Sequence, residues 1–225
     1  AHRGGAALAP ENTVIAFEGG LSHHADGMEL DVHLSRDGVP VVVHDATVDR
    51  TTNRTGAVAS FSAAELAALD AGFRFDPARG FPFRERGHGV PTLEEVLKRW
   101  PAARVIVEMK DGTAALGAAA VAVVRRVAAQ SRVCLGSFQQ EALDAVRALA
   151  PEIATSASQE EAKRTLRRSW IRWPFVPSRP YAAFQVPEWA GRRRVVSRAF
   201  VTQVHRGGQV LQVWVVDREE DARRL

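Results

Sequence analysis

Apolar runs of strand length recur along this 225-residue chain at intervals of about 20 to 30 residues. They fall at 27–34, 39–44, 104–110, 132–136, 152–156, 181–186 and 209–216. Helical periodicity occupies 92–100, 114–129, 140–149, 160–168 and 198–206 between them. In the second of these, Leu116, Ala120, Val123 and Val127 lie near one stripe, the pattern of a helix that covers a sheet. Strand–helix units joined by short loops require parallel strands, so the chain is an α/β protein, either a TIM-type (β/α)8 barrel or an open sheet. Its length suits one domain over 1–225 with one large core.

Residues 46–90 break the rhythm after the second strand. Asp49 to Gly56 is polar, and 72–89 is rich in glycine, proline and phenylalanine. Between them 62–71 reads as a short helix, with Ser62 as cap and Glu65 three positions on. The stretch is expected to be an inserted lobe that shapes a pocket. Both terminal strands look incomplete. His2-Arg3-Gly4 is preceded by Ala1 alone, and 219–225 starts a helix with no strand after it.

Composition excludes several classes of function. A net charge of +4 comes from scattered basic residues, with no helix-turn-helix, zinc finger or base-stacking platform, so nucleic acid is not an expected partner. No apolar run is long enough to span a bilayer. A cytoplasmic location is expected, and an extracellular one stays open because the natural N-terminus is not established by these residues. Cys134 has no partner for an internal disulfide and reads as a small core residue. Arginine mixes with aromatics from Lys163 to Pro177. This is read as a solvated helix end running into a packed loop, with 170–177 as a candidate contact for a membrane surface or an acyl chain.

The chemistry concentrates at strand ends. In 27–34, Glu29 and Asp31 project to one face while Met28, Leu30 and Val32 take the other. In 104–110, Ile106, Glu108 and Lys110 share a face opposite Val105, Val107 and Met109. Parallel sheets are normally apolar on both faces, so these charges need partners. A divalent cation held by Glu29, Asp31 and Glu108 would satisfy the acids, and the all-oxygen ligand set favours Mg²⁺ or Ca²⁺. Arg3 and Lys110 then become phosphate contacts, and His2 and His44 an acid–base pair. No glycine-rich nucleotide loop is present.

Blander readings stand beside each of these. A lone His44 is commonly structural, and two alternating acids also suit a wet sheet face. His33 reads as a pocket wall, His23 and His24 as surface residues, and Asp45 as a residue that fixes local backbone geometry.

The combination closely resembles the glycerophosphodiester phosphodiesterase family. It rests on His2-Arg3-Gly4, Pro10-Glu11-Asn12-Thr13, Gly27-Met-Glu29-Leu-Asp31-Val, Asp37-Gly38 and Val43-His44-Asp45. Asp49-Arg-Thr-Thr-Asn-Arg-Thr-Gly56, 90–96, Val107-Glu108-Met-Lys110, Ser137-Phe138 and Val213-Trp214 continue the match along nearly the whole chain. The resemblance implies a TIM-type barrel with its site at the C-terminal ends of the strands. It implies metal binding at Glu29, Asp31 and Glu108, acid–base roles at His2 and His44, phosphate contacts at Arg3 and Lys110, and supporting places for Glu11 and Asn12. The implied reaction cleaves glycerophosphodiesters such as glycerophosphocholine to glycerol 3-phosphate and an alcohol, by way of attack by the glycerol 2-hydroxyl with His2 as base and His44 as acid.

Two departures stand out. The family's Trp-Thr-Val-Asn is Trp214-Val215-Val216-Asp217 here, and its final Gly-x-Asp-Gly-Ile strand is missing. Trp214 remains placed to pack on a glycerol or headgroup moiety, and Asp217 changes hydrogen bonding at the pocket edge. Two rival functions follow: a lysophospholipase D-like hydrolase of single-chain lipids, and a catalytically silent barrel serving as a binding module.

Overall fold

A computed structural model describes residues 1–171 and 180–225. In chain order the elements are α1 (Val14–Ser22), β1 (Gly27–Leu34), β2 (Pro40–Val42), α2 (Ala63–Ala67), α3 (Leu93–Arg99) and β3 (Arg104–Met109). Next come α4 (Ala114–Arg126), β4 (Val133–Gly136), α5 (Gln140–Leu149), β5 (Ala154–Thr155), α6 (Gln159–Trp170) and β6 (Ala183–Pro187). The last are β7 (Trp189–Ala190), β8 (Arg193–Arg194), α7 (Arg198–Arg206), β9 (Val210–Trp214) and α8 (Glu219–Arg224).

Parallel pairing runs unbroken through β1, β3, β4 and β5. A bridge from Ser156 to Ala183 carries it to β6, which pairs with β9. On the other side Ala1 and His2 extend β1 in parallel, with the Glu29 N–H donating to the Ala1 carbonyl at 2.9 Å. A helix follows each of these staves, which is the alternation of a TIM-type barrel. Among the described residues no strand lies between β9 and the Ala1–His2 stave.

The outward faces form the core. Leu30 and Val107 are register partners, as are Val107 and Leu135, so one apolar layer runs across three strands. Leu116, Ala120 and Val124 of α4 and Leu143 and Val146 of α5 cover it, all fully buried. Thr113 caps α4 by accepting from the Leu116 N–H, and Arg125 and Arg126 sit at its negative C-terminal end. No described helix is long and apolar enough to cross a membrane.

The structure departs from the sequence reading in particular places. The run 39–44 is not a stave: β2 folds back antiparallel on β1 with Val32 opposite Val42. Gly38, at φ +74°, turns the chain too tightly for the crossover that a parallel neighbour needs. Val41 and Val43 then pack with Val48, Val58, Leu66, Ala71 and Val90 in a separate small cluster under residues 46–90. The capping box at Ser62 and Glu65 is present. Helix α1 shows no clear apolar period in the sequence, because two adjacent glycines, Gly19 and Gly20, interrupt it. Gly20 permits close approach, since a Cβ there would lie 2.5 Å from the Gly4 carbonyl oxygen. The β7–β8 hairpin had no strand-like signal. Cys134 faces the barrel interior rather than the apolar layer, and burial pushes its thiol up to about 12. The arginine–aromatic cluster begins within α6, and 172–177 lies outside the described residues.

Candidate active site

The register of β1 and β3 sets the floor of the site. Asp31 lies opposite Glu108 and Glu29 opposite Ile106, so three carboxylates share the inner surface of two adjacent strands. Lys110 follows directly, its N–H donating to the Val32 carbonyl at 3.0 Å, with Nζ 3.5 Å from Asp31 Oδ1. Gly136 on β4 keeps this floor open: a Cβ there would meet Glu108 Oε2 at 2.8 Å and Gln185 Oε1 at 2.9 Å.

A sharp turn after His2 delivers the second group. Gly4 sits at φ +82°, and a Cβ there would lie 2.7 Å from the backbone of Ala16, so only glycine fits. Arg3, itself left-handed at φ +49°, returns over the floor. Its N–H donates to Glu29 Oε2 at 3.0 Å and its guanidinium donates to Glu11 Oε1, also at 3.0 Å. Asn12 donates from its amide to Asp31 Oδ2 at 2.9 Å. His2 Nε2 stands 3.8 Å from Glu29 Oε2. Burial and the nearby Arg3 charge lower the pKa of His2, which keeps its imidazole neutral.

His44 arrives from the end of the β2 segment. Its Nδ1 lies 2.6 Å from Asp45 Oδ1, and its Nε2 lies 3.2 Å from Lys110 Nζ. An ammonium only donates, so Nε2 accepts and the ring proton sits on Nδ1 toward Asp45. His33 is not the pocket wall expected. It is buried behind His44, bonded through Nε2 to the His44 carbonyl at 3.0 Å and through Nδ1 to Asp111. Burial works against its charge, but the Asp111 and His44 bonds prevail and raise its pKa. Asp45 likewise does more than fix backbone: it holds the His44 ring and accepts from Arg50 Nε at 2.6 Å. That arginine bond leads in drawing the Asp45 carboxyl down to about 2.

The acids are under electrostatic pressure. Burial, with Asp31 adding to it, raises Glu29 to about 7. Burial also raises Glu108 to about 8, opposed by Lys110 and reinforced by Asp31 and Glu29. Among the described residues, Glu108 Oε1 is a buried acceptor with no hydrogen-bond partner. Arg3 Nε is a buried donor in the same position, for although Asp31 Oδ2 is 3.3 Å away the pair makes no hydrogen bond. Among the described residues no group of three His, Cys, Asp or Glu side chains stands arranged to hold an ion. Asp31 is engaged by Asn12, Arg3 and Lys110 instead. The donor set nonetheless fits a hard divalent cation: three oxygen ligands, one unpartnered, and two with raised pKa values.

A cavity of about 830 Å³ joins these groups, running inside the barrel from Gly27 and Arg132 to His44, Lys110 and Trp214. Its far wall is neutral. Gln185 donates to Gln212 at 3.1 Å, and the rings of Phe138 and Trp214 meet edge to face, 6.3 Å apart. His2, Arg3, Glu29, Asp31, His44, Glu108, Lys110 and Trp214 all line this space. Glu11 and Asn12 stand behind it, and Asp217 is exposed outside the lining, reaching His2 only through its charge. Arg50, Asp111 and Gln185 were not singled out from the sequence. Arg50 was hidden in a polar turn, and its signal was its place a few residues after His44-Asp45.

A family model described as the glycerophosphoryl diester phosphodiesterase family matches residues 2–225. A glycerophosphodiester phosphodiesterase of Caldanaerobacter subterraneus subsp. tengcongensis is 32% identical over 230 residues, spanning 100% of this chain and 88% of its own. Among solved structures, the glycerophosphoryl diester phosphodiesterase domain of an uncharacterized Mycobacterium tuberculosis protein superposes with TM-score 0.86 at 25% identity. That match covers 99% of this chain and 89% of the other. An Oleispira antarctica phosphodiesterase in complex with the product sn-glycerol-3-phosphate matches with TM-score 0.77 at 26% identity, over 100% of this chain and 86% of that one.

Proposed function

The chain belongs to the glycerophosphoryl diester phosphodiesterase family, and from that membership we propose that it cleaves glycerophosphodiesters to glycerol 3-phosphate and an alcohol by metal-assisted histidine acid–base catalysis. Membership and its enzyme relatives make it a phosphodiesterase and set aside the catalytically silent barrel. One observation carries the finer reading. A buried donor without a hydrogen-bond partner, Arg3 Nε, and a buried acceptor without one, Glu108 Oε1, belong to side chains that line one cavity. The first calls for an anion and the second for a cation, as a phosphodiester and its counter-ion would supply.

Glu29, Asp31 and Glu108 would hold Mg²⁺ or Ca²⁺, which when bound offsets charge building on the phosphoryl oxygens. Arg3 and Lys110 bind the phosphate, the first as a fork and the second as a point charge. His2, kept neutral by burial and Arg3, takes the proton of the attacking hydroxyl. When Lys110 turns from His44 to the phosphate, Nε2 is free to take up a proton from water, and the resulting imidazolium, stabilised by Asp45, delivers that proton to the departing alkoxide. Phe138 and Trp214 offer an aromatic surface to the glycerol or headgroup moiety. A second reading, hydrolysis of lysolipids at a membrane surface, draws support from Trp170 and Ile171, exposed at the end of α6, where the Arg193 guanidinium lies over the Trp170 ring.

Hydrolysis of glycerophosphocholine, glycerophosphoethanolamine and lysophosphatidylcholine tests both readings, in EDTA and after Mg²⁺ or Ca²⁺ is restored. Activity on the glycerol diesters that disappears in EDTA and returns with the cation is expected. Activity surviving full chelation overturns the metal assignment, and turnover of the lysolipid alone favours the second reading.

A further inference from the structure

Charged groups in and behind the cavity wall form a closed ring, and two of its members, Glu11 and Arg50, have no place in the mechanism above. Asp31 pairs with Arg3, and Arg3 with Glu11. Glu11 accepts from Arg50 NH1 at 2.8 Å and NH2 at 2.7 Å. Arg50 reaches Asp45 through Nε at 2.6 Å and NH2 at 3.2 Å. Asp45 holds His44, His44 meets Lys110, and Lys110 returns to Asp31. Negative and positive groups alternate around the circuit, with the His44 imidazole set between Asp45 and Lys110.

Arg50 is the only stretch of this ring drawn from residues 46–90, and it joins two parts of the site that are otherwise far apart in sequence. Glu11 precedes β1 and Asp45 follows β2, so the 39-residue separation from Glu11 to Arg50 is spanned by one planar guanidinium. The hydrogen bonds occupy all three nitrogens, and only an arginine fork serves two carboxylates in this way. Burial costs Glu11 stability as a carboxylate, yet the Arg50 and Arg3 contacts outweigh it and hold its pKa low. Loss of Arg50 would leave Asp45 free to turn from the His44 Nδ1 and Glu11 free to release the Arg3 guanidinium.

We propose that Arg50 is a positioning residue, which orients His44 for proton donation through Asp45 and aims Arg3 at the phosphate through Glu11. The inference rests on the acid role assigned to His44. It assigns to the segment beyond β2 a part in catalysis exerted through Asp45 and Glu11, in addition to pocket shape.

Leaving-group dependence separates this role from a structural one, because a good leaving group departs without a general acid. The test compares the wild type with His44→Ala, Arg50→Ala, Arg50→Lys and Asp45→Asn on a glycerol phosphodiester of p-nitrophenol and on glycerophosphocholine. Thermal midpoints are measured for each. Arg50→Ala is expected to lose kcat on glycerophosphocholine at least tenfold more than on the nitrophenyl ester, in the same sense as His44→Ala. Arg50→Lys, which keeps the charge and loses the fork, should fall between Arg50→Ala and wild type. The Arg50→Ala/Asp45→Asn double variant should show no further leaving-group selectivity, because both changes cut one path. Equal loss on the two substrates in Arg50→Ala, beside clear selectivity in His44→Ala, overturns the positioning role alone. Selectivity absent from both variants overturns the acid role of His44 and the inference with it. If Arg50→Ala does not fold, Arg50→Lys carries the comparison, and wild-type selectivity in that variant is the overturning result.

Discussion

The two flanks of the barrel bury different things. On the flank built from β1, β3 and β4, Leu30, Val107, Leu135 and the helices α3, α4 and α5 form a continuous apolar layer behind the strands. On the flank of β6 and β9, a smaller cluster centres on Phe184, Phe200 and Val204, and Val210 on the edge strand is 58% exposed. The ionisable strand-borne groups of the site stand on the first flank, and Gln185, Gln212 and Trp214 on the second. Burying three carboxylates and a lysine needs strands that cannot shift, because a displaced partner leaves an uncompensated charge. Neutral and aromatic walls tolerate a looser support.

Breaking the charged flank should have the largest effect. His44→Ala is expected to lower kcat on glycerophosphocholine by about 100- to 10,000-fold, whereas Gln212→Ala should cost less than about tenfold, a loss of one neutral hydrogen bond. Steady-state kinetics of the two variants measures the contrast, and comparable losses would erase it.

The next largest difference is in stability. Leu135→Ala opens a cavity in the layer and should destabilise by about 2–5 kcal/mol. Val210→Ala on the exposed edge should stay within about 0.5 kcal/mol. Urea denaturation of both reads the difference directly. Trp214→Ala should then raise KM by roughly 5- to 30-fold, equivalent to about 1–2 kcal/mol of aromatic contact, with kcat little changed. A fall in kcat at constant KM would move Trp214 from the wall into the chemistry.

The smallest effect is a pH dependence. Arg50 and His44 hold the Asp45 carboxyl at about 2, below its ordinary 3.8. A depressed carboxylate contributes stability above its unfolded value and loses it as the pH falls through the folded one. The stability gap between wild type and Asp45→Asn should therefore persist above about pH 4 and close toward about pH 2. Denaturation at stepped pH values checks it, and a gap that widens on acidification would contradict the assignment.

Much of this arrangement was legible in the residues. The alternation in 27–34 matches β1 residue for residue, and the helical periodicity over 140–149 and 198–206 has the bounds of α5 and α7. The shared face of Glu29 and Asp31, and that of Glu108 and Lys110, followed from strand period alone, because neighbouring side chains on a strand must point to opposite sides. Ser62 and Glu65 announced their helix because a capping box is a bond within four residues. Two other features were not legible. The run 39–44 carries the same apolar signal as a stave, and only the turn geometry at Gly38 made it antiparallel. Cys134 sits in an apolar run, but β4 turns it inward toward Glu108.

The sequence by itself determined which side chains share a face, where helices start, and that acids and basic groups meet at strand ends. All of these depend on periods of two or 3.6 residues and on bonds within one turn. Only the tertiary structure decided that Arg50 joins Glu11 to Asp45, that His33 supports His44 from behind, and that Asp31 is shared among Asn12, Arg3 and Lys110. Apart from Arg50 and Asp45, these partners lie 11 to 79 residues apart along the chain. Their meeting depends on the path of every intervening loop, which no local pattern encodes.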